Sequence, residues 1–397
     1  MPRKVYLEPI WKFHAFGKQL STFPPTGYEF ITARTPQEKL FDTVSHFDIG
    51  RFLLRSVDLV LPTGLVKTWV EKWNKPPAHS KLTYACDHLV FRPEPWIMEV
   101  EYASLVLGID PKHLKRFKRT MERMLASPYC KRILCWAETG RRSLLHDLDS
   151  REFHDKIEVV HYAIPARSFV KEYRNEKVRL LFVGSGTSKG GFDYRGGREV
   201  MATFALLHQR YDNLEMVVRS DVPKDIKVRY EKIDGLRFME KMVSQEELER
   251  EFLSADVFII PSHNTSPMIM LDAMSYELPI VTIDTWANPE MVEDGKTGLV
   301  AQSSGRLPYY YADTCQPNWA AAEFKKTMLT PDPHVVDDLA SKVSMLIENA
   351  ELRRKMGKAA RWEVENGKFS LKKMNEKLGH IFDKAIDGEA AYARKPD

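Results

Sequence analysis

Cysteine is scarce in this chain of 397 residues, and Cys86, Cys130, Cys135 and Cys315 form no CxxC pair and have no histidines at ligand spacing. That argues against a zinc site or a disulfide framework and leaves buried or idle thiols. No stretch approaches eighteen apolar residues, so no spanning helix is expected. The opening MPRKVYLEPIWKFHAF lacks the continuous apolar core of a signal peptide, and a cytoplasmic protein is the expectation. Repeats, low-complexity tracts and blocks of like charge are missing as well, so the chain should fold throughout. A GxxxxGK(S/T) phosphate loop is absent. So is any basic motif interleaved with aromatics, and with a net charge of only +4 no nucleic-acid partner is expected.

The length exceeds what one core usually organises and suggests two domains. Charge is uneven: residues 1–175 hold 28 Lys/Arg against 20 Asp/Glu, and the rest hold 31 against 35. Part of the basic excess lies in PKHLKRFKRTMERM (111–124), where Leu114, Phe117, Met121 and Met124 recur at helical spacing beneath a basic face. The simpler reading is a helix packing its stripe on its own domain. Peripheral contact with anionic lipid headgroups at the inner membrane face is the alternative.

From residue 178 onward short β-rich runs alternate with helical patterns, the signature of a parallel sheet covered by helices. The runs are RLLFV (179–183), LEMVV (214–218), DVFII (256–260) and PIVTI (279–283). Ligands of such sheets bind outside the carboxyl ends of the strands, so the residues just after each run carry the most information. After the first comes GSGTSKGGFDYRGGREVMATFALL (184–207), with six glycines and three basic residues ahead of an amphipathic helix. Its glycines let backbone approach closely, and Lys189 and Arg195 bring charge to a diphosphate; a purely structural turn is the competing reading. After DVFII comes PSHNTSPMIMLDAM (261–274), where Ser266 and Pro267 read as N-cap and first turn of a helix. Asn288 and Pro289 open another short helix that Gly295 can end. Within the apolar helix stands one carboxylate, Asp272, which needs a partner or a solvated edge; a polar edge with Ser275 and Tyr276 would provide one.

With these motifs the chain resembles the retaining glycosyltransferases of family 4, which have the GT-B architecture: α/β, two Rossmann-like lobes with parallel sheets facing across a donor cleft. The carriers are LLFVGS, YRGGREVMATFALL, VSQEELEREFLSADVFIIPS, SPMIMLDAMSYELPIVTI and ANPEMVEDGKTGLV, in the family's order and near its spacing. The N-terminal half resembles it only loosely, through CKRILCWAETGRRSLL (130–145). In that family the first acid of a Glu-x7-Glu motif contacts the transferred sugar and the second holds the nucleotide ribose. Asp272 matches the second position. Asn264 stands at the first, in a segment one residue shorter than usual, with His263 and Thr265 as alternative contacts. The resemblance implies donor contacts from Gly184, Ser185, Gly186, Lys189, Arg195, Arg219, His263, Thr265, Ser266, Asp272 and Glu290. Ser185 stands where the family usually has Arg, and Arg195 where it has Lys. For chemistry the expected residues are Asn264 with Glu101 and His88 of the N-terminal lobe, although Glu101 could be a surface residue and His88 a core histidine. Gly17, after the first strand, could let that loop approach a sugar.

The implied division is 1–175 for the acceptor-side lobe, 176–361 for the donor lobe and 362–397 for a C-terminal helix returning to the first. Phe369, Leu371, Met374, Leu378, Ile381 and Phe382 fall largely on one stripe of that helix. The expected activity is metal-independent transfer of a hexosyl group from a nucleotide-diphosphate sugar to a glycan or lipid-linked hydroxyl, without a cofactor. A sugar-nucleotide epimerase of the same architecture and a non-catalytic sugar-nucleotide binder are the alternatives.

Overall fold

The computed structural model describes residues 1–8, 15–32, 62–71, 76–108, 112–173, 177–184, 191–240, 243–303 and 322–388. Contacts divide the chain into two units. One holds the described residues up to Tyr162 together with those from Lys372 onward; the other holds the described residues from Ala163 to Leu371.

The first unit is built on a six-stranded parallel sheet ordered β2-β1-β3-β4-β5-β6, comprising β1 Arg3–Glu8, β2 Tyr28–Ile31, β3 Ser80–Cys86, β4 Trp96–Val100, β5 Cys130–Cys135 and β6 Ile157–Val159. Every residue of β4 is buried, as a central strand covered on both faces requires. The helix Lys112–Ala126 buries Leu114, Met121 and Leu125 in the core cluster and packs Phe117 and Met124 against it. Its apolar stripe is therefore taken up by its own domain, while Lys112, Lys115, Arg116, Arg119 and Arg123 stay at least partly exposed on the other side. Gly17 lies within the helix Ala15–Thr22 and not in a loop after β1.

Residues 362–386 are not one helix. The helix Ala350–Glu365 ends, and Leu371–Asp387 begins after a break. Gly367 fits the break: a Cβ there would sit 2.0 Å from the Glu363 carboxylate, whose Oε2 accepts the Lys368 amide at 3.1 Å. Phe369 is 1% exposed but lies in this break, off the helical stripe. The last helix packs on the first sheet. Phe382, fully buried, meets Tyr28, Phe30 and Tyr84 edge-on at 5.1, 5.9 and 6.2 Å. Asp383 accepts from the Tyr28 hydroxyl at 2.7 Å and from Arg3 at 3.1 Å.

The second unit carries six parallel strands ordered β12-β11-β10-β7-β8-β9: β7 Val178–Val183, β8 Leu214–Arg219, β9 Leu236–Met239, β10 Val257–Ile259, β11 Ile280–Ile283 and β12 Gly298–Ala301. β10 and β11 are entirely buried, and four of the strands coincide with the apolar runs of the sequence to within a residue or two. The helix Gln245–Ser254 opens on a capping box in which Ser244 and Glu247 exchange side-chain and backbone bonds.

Two measurements test this packing. Phe382→Ala should cost about 3–5 kcal/mol in denaturant unfolding, since an aromatic of the core leaves a cavity among three rings. Lys171, 8% exposed, donates to the Phe252 carbonyl at 3.0 Å, and burial pushes its ammonium down to about 8 against the opposing pull of Asp256 and Glu277. Its folded pKa lies below its unfolded value, so between those two pH values only the unfolded chain holds the proton. Stability should rise with pH from about 8 to about 10.5, by up to ~3 kcal/mol, and Lys171→Met should remove that rise.

Candidate functional site

In the second sheet the chain runs β7, β8, β9 toward one edge and then crosses to β10, β11, β12 on the other side of β7. The strand order reverses between β7 and β10, and a crevice opens outside the carboxyl ends of strands at such a reversal. The segments after β7, β10 and β11 therefore emerge side by side. These are the segments that hold the glycine-rich turn, the 261–266 loop and the short helix Asn288–Met291.

Gly184 leaves β7 against β8, where a Cβ would lie 2.2 Å from the Ser220 hydroxyl. Only glycine fits that approach. Ser185, Gly186 and Lys189 lie outside the described residues. Beyond them Arg195 donates from Nη1 to the Val183 carbonyl at 3.2 Å, and Arg219 donates to the Gly184 carbonyl at 3.4 Å. The two guanidiniums converge on the end of β7. Burial and the neighbouring Arg219 charge push Arg195 down to about 10, and burial lowers Arg219 as well. At neutral pH both are cations held against one another. An anion between them would relieve the repulsion.

Gly196, at φ +76°, connects this turn to the helix Gly197–His208, and a Cβ on it would lie 2.2 Å from the Pro261 carbonyl. The glycine-rich turn is thus pressed against the next loop. His263 continues the contact: its amide donates to the Tyr194 carbonyl at 3.0 Å, and its buried Nε2 lies 3.0 Å from the buried Glu199 carboxylate. Ser262 offers its carbonyl to Thr285 Oγ1 and to Asn288 Nδ2, both at 2.8 Å. Thr265 Oγ1 accepts the Ala287 amide at 3.0 Å. Thr265 therefore fastens the loop from within.

Ser266 occupies the N-cap position of the helix Pro267–Ser275, but its side chain makes no capping bond; its hydroxyl lies 3.4 Å from that of Ser262. Asn288 and Pro289 do open their short helix, but it ends at Met291, before Gly295. Ala287 holds the N-cap position, and the Asn288 amide is spent on Ser262. Asn264 is half-buried, and its side-chain oxygen is enclosed with no hydrogen-bond donor among the described residues.

Asp272 has its partner. Its Oδ1 accepts from Arg167 Nη2 at 2.8 Å, and its side chain keeps 32% exposure, enough to be reached from solution. Burial raises its carboxyl above the ordinary value and Arg167 opposes that shift. Arg167 also reaches Ser275 and lies over the Tyr276 ring, so the two neighbours expected to form a polar edge do take part. Sequence reading missed Arg167 and Glu199, since neither stands out in a motif. Glu290 lies in the first turn of its short helix, and its carbonyl accepts from Lys368.

The first unit holds the other two chemical candidates. His88 is 3% exposed, after β3, with Nδ1 3.3 Å from Thr68 Oγ1. Glu101 is half-buried after β4, its amide bonded to Asp87 Oδ1 at 3.0 Å. Close by in the same sheet two further acids are buried: Glu8, paired in a fork with Arg92, and Glu99, which accepts from the Tyr162 hydroxyl at 2.5 Å.

Residues 177–310 match the model of the family described as Glycosyl transferases group 1. Spore coat protein SA of Bacillus subtilis is 24% identical over 153 residues, 38% of this chain and 32% of that protein. Sulfoquinovosyl transferase SQD2 of Arabidopsis thaliana is 28% identical over 124 residues, 30% of this chain and 18% of that one. The matched stretch thus spans about a third of the first relative's length and less than a fifth of the second's. HepE of Anabaena, in a crystal structure with UDP and glucose, aligns with a TM-score of 0.58 over 97% of this chain and 100% of its own, at 10% identity. With two sheets of six parallel strands each, the fold is of the GT-B class. The stretch that carries its second sheet, within residues 177–310, is the part that resembles the group 1 glycosyltransferases in sequence.

Two glycines separate backbone strain from close approach. Gly295, at φ +77°, has nothing within 4 Å of a built Cβ, so Gly295→Ala should cost about 1 kcal/mol from conformation alone. Gly196→Ala adds a clash with the Pro261 carbonyl and should cost at least ~1 kcal/mol more in equilibrium unfolding. Equal costs at the two positions would mean that the loops are not pressed together.

Proposed function

We propose that this protein is a retaining glycosyltransferase that moves a hexosyl group from a nucleotide-diphosphate sugar to a hydroxyl acceptor on a glycan or a lipid-linked glycan. The observation that carries the reading is the pair of arginines at the switch point of the second sheet: Arg195, with no acidic partner among the described residues, repels Arg219 at the end of β7. A diphosphate suits that place, and its charge grows as the bond to the sugar breaks. Guanidiniums held by strand-end carbonyls stabilise that charge without moving, which lowers the barrier to departure. In this reading they take the part a metal ion plays elsewhere, and no cofactor is needed.

Asn264 supplies an enclosed acceptor oxygen for a sugar hydroxyl. Being neutral, it cannot stabilise positive charge at the anomeric carbon as a carboxylate would. Asp272 would accept from the ribose hydroxyls. The acceptor proton goes to an oxygen of the departing diphosphate, so no protein base is required. The names of the relatives point the same way, since HepE was crystallised with UDP and glucose and SQD2 is a sulfoquinovosyl transferase. The neutral Asn264 also favours a second reading, a sugar-nucleotide binder that does not turn over.

No helix among the described residues is long and apolar enough to cross a membrane. With the stripe of Lys112–Ala126 used by the core, any contact of this helix with anionic headgroups would rest on its exposed cations alone and fade with salt.

A thermal-shift panel of UDP-, GDP- and ADP-sugars tests the donor site, and release of free sugar separates enzyme from binder. Arg195→Ala should weaken binding of the nucleoside diphosphate by about 10- to 100-fold and leave binding of the nucleoside nearly unchanged. Equal losses for both ligands would remove Arg195 from the phosphate site.

A further inference from the structure

Arg167 is the arginine whose guanidinium meets the proposed ribose acid, and its surroundings are those of a built clamp. Nε donates to Ser275 Oγ at 3.0 Å, Nη1 to Glu249 Oε1 at 3.2 Å and Nη2 to Asp272 Oδ1 at 2.8 Å. The guanidinium carbon stands 4.4 Å from the centre of the Tyr276 ring, and the Arg167 carbonyl accepts from Arg361 at 3.1 Å. Three nitrogens, a ring and the backbone are all engaged, so the side chain has one geometry available. A lysine could not reproduce such a fork.

We propose that Arg167 is a positioning residue for ribose recognition: it holds Oδ1 of Asp272 so that the other oxygen stays turned out to accept the hydroxyls of a nucleoside diphosphate. The inference rests on the reading of this crevice as a donor site. Among the described residues Oδ2 of Asp272 accepts no hydrogen bond, while the side chain remains a third exposed. A vicinal diol donates two hydroxyl hydrogens, and an ionised carboxylate with a free oxygen is the acceptor that suits it. Arg167 also separates two acids. Without it, Asp272 would face Glu249 across a partly desolvated gap, and like charges there favour protonating one of them. A protonated Asp272 would lose part of its capacity to accept.

The test compares two ligands on each protein: whichever of UDP, GDP or ADP the wild type binds, and its 2′,3′-dideoxy counterpart. Wild type should prefer the ribose form by about tenfold or more, the cost of leaving a polar group unpaired. Arg167→Gln should bring that ratio to within about threefold of unity, because the diphosphate and base contacts remain. Asp272→Asn should do the same, and the double variant should lose no more than either single one. Since both ligands meet the same preparation, an unfolded fraction lowers both signals alike and leaves the ratio intact. A preserved ratio in Arg167→Gln alongside a lost one in Asp272→Asn would overturn the positioning role and leave the donor site standing. Failure of wild type to bind any of the three nucleotides would overturn the donor reading and this inference together.

Discussion

The backbone carbonyl of Ser262 is the point on which the second unit's site depends. It is buried just past β10, and it accepts from both Thr285 and Asn288, the two side chains that the chain brings up after β11. Asn288 donates to Thr285 as well, so the three groups form a closed polar triangle. Burying a carbonyl at a strand end is costly unless such donors meet it. Meeting it fixes the path of the next residues: Thr265 receives the Ala287 amide, His263 lies against Glu199, and Pro267 starts the next helix. Asn264 is left on the part of the loop that is held from both sides.

The electrostatics depend on that geometry. Arg198 and Arg195 stand three residues apart in the sequence and have opposite fates. Arg198 is neutralised twice, by Asp193 at 2.8 Å and by Asp225 at 2.7 Å, and belongs to the framework. Arg195 has no acid among the described residues and is pressed toward another cation. The strand-end carbonyls of Val183 and Gly184 hold the two guanidiniums at this place. Under the proposed donor reading, a diphosphate placed there would recover what the fold gave up.

How much of this could be read from the residues depends on distance along the chain. The strands were legible because an apolar run of five is a local signal, and the glycines of 184–197 because close approach tolerates nothing larger. The helix break at 366–370 was missed: the stripe of Phe369 with Leu371 and Met374 imitates a continuous helix, and only the collision at Gly367 shows otherwise. Ion pairs were beyond reach. Arg167 and Asp272 are 105 residues apart, and Arg92 and Glu8 are 84 apart; nothing local marks either pair. Asp272 could be identified as needing a partner, because a lone acid in an apolar helix is an anomaly. Which residue would answer could not.

That anomaly also accounts for the segment 163–173. Arg167 clamps Asp272, Lys171 reaches the Phe252 carbonyl, and the Tyr173 hydroxyl donates to Glu277. Glu277 turns the chain out of the Asp272 helix at φ +62°, a left-handed conformation unfavourable to any residue with a side chain. It persists because its carboxylate is held by Tyr173 and by Arg361 at 3.3 Å, while Gly357 admits its carbonyl at a distance no Cβ would allow. The helix is therefore fixed at three places: the Ser262 anchorage before it, the Glu277 turn after it and Arg167 between them. A carboxylate carried on a helix held in this way has little freedom to follow a ligand. Under the proposed donor reading, selectivity at Asp272 would come from the ligand's fit to a preset oxygen, which is the condition under which one hydroxyl more or less on a ribose is felt most strongly.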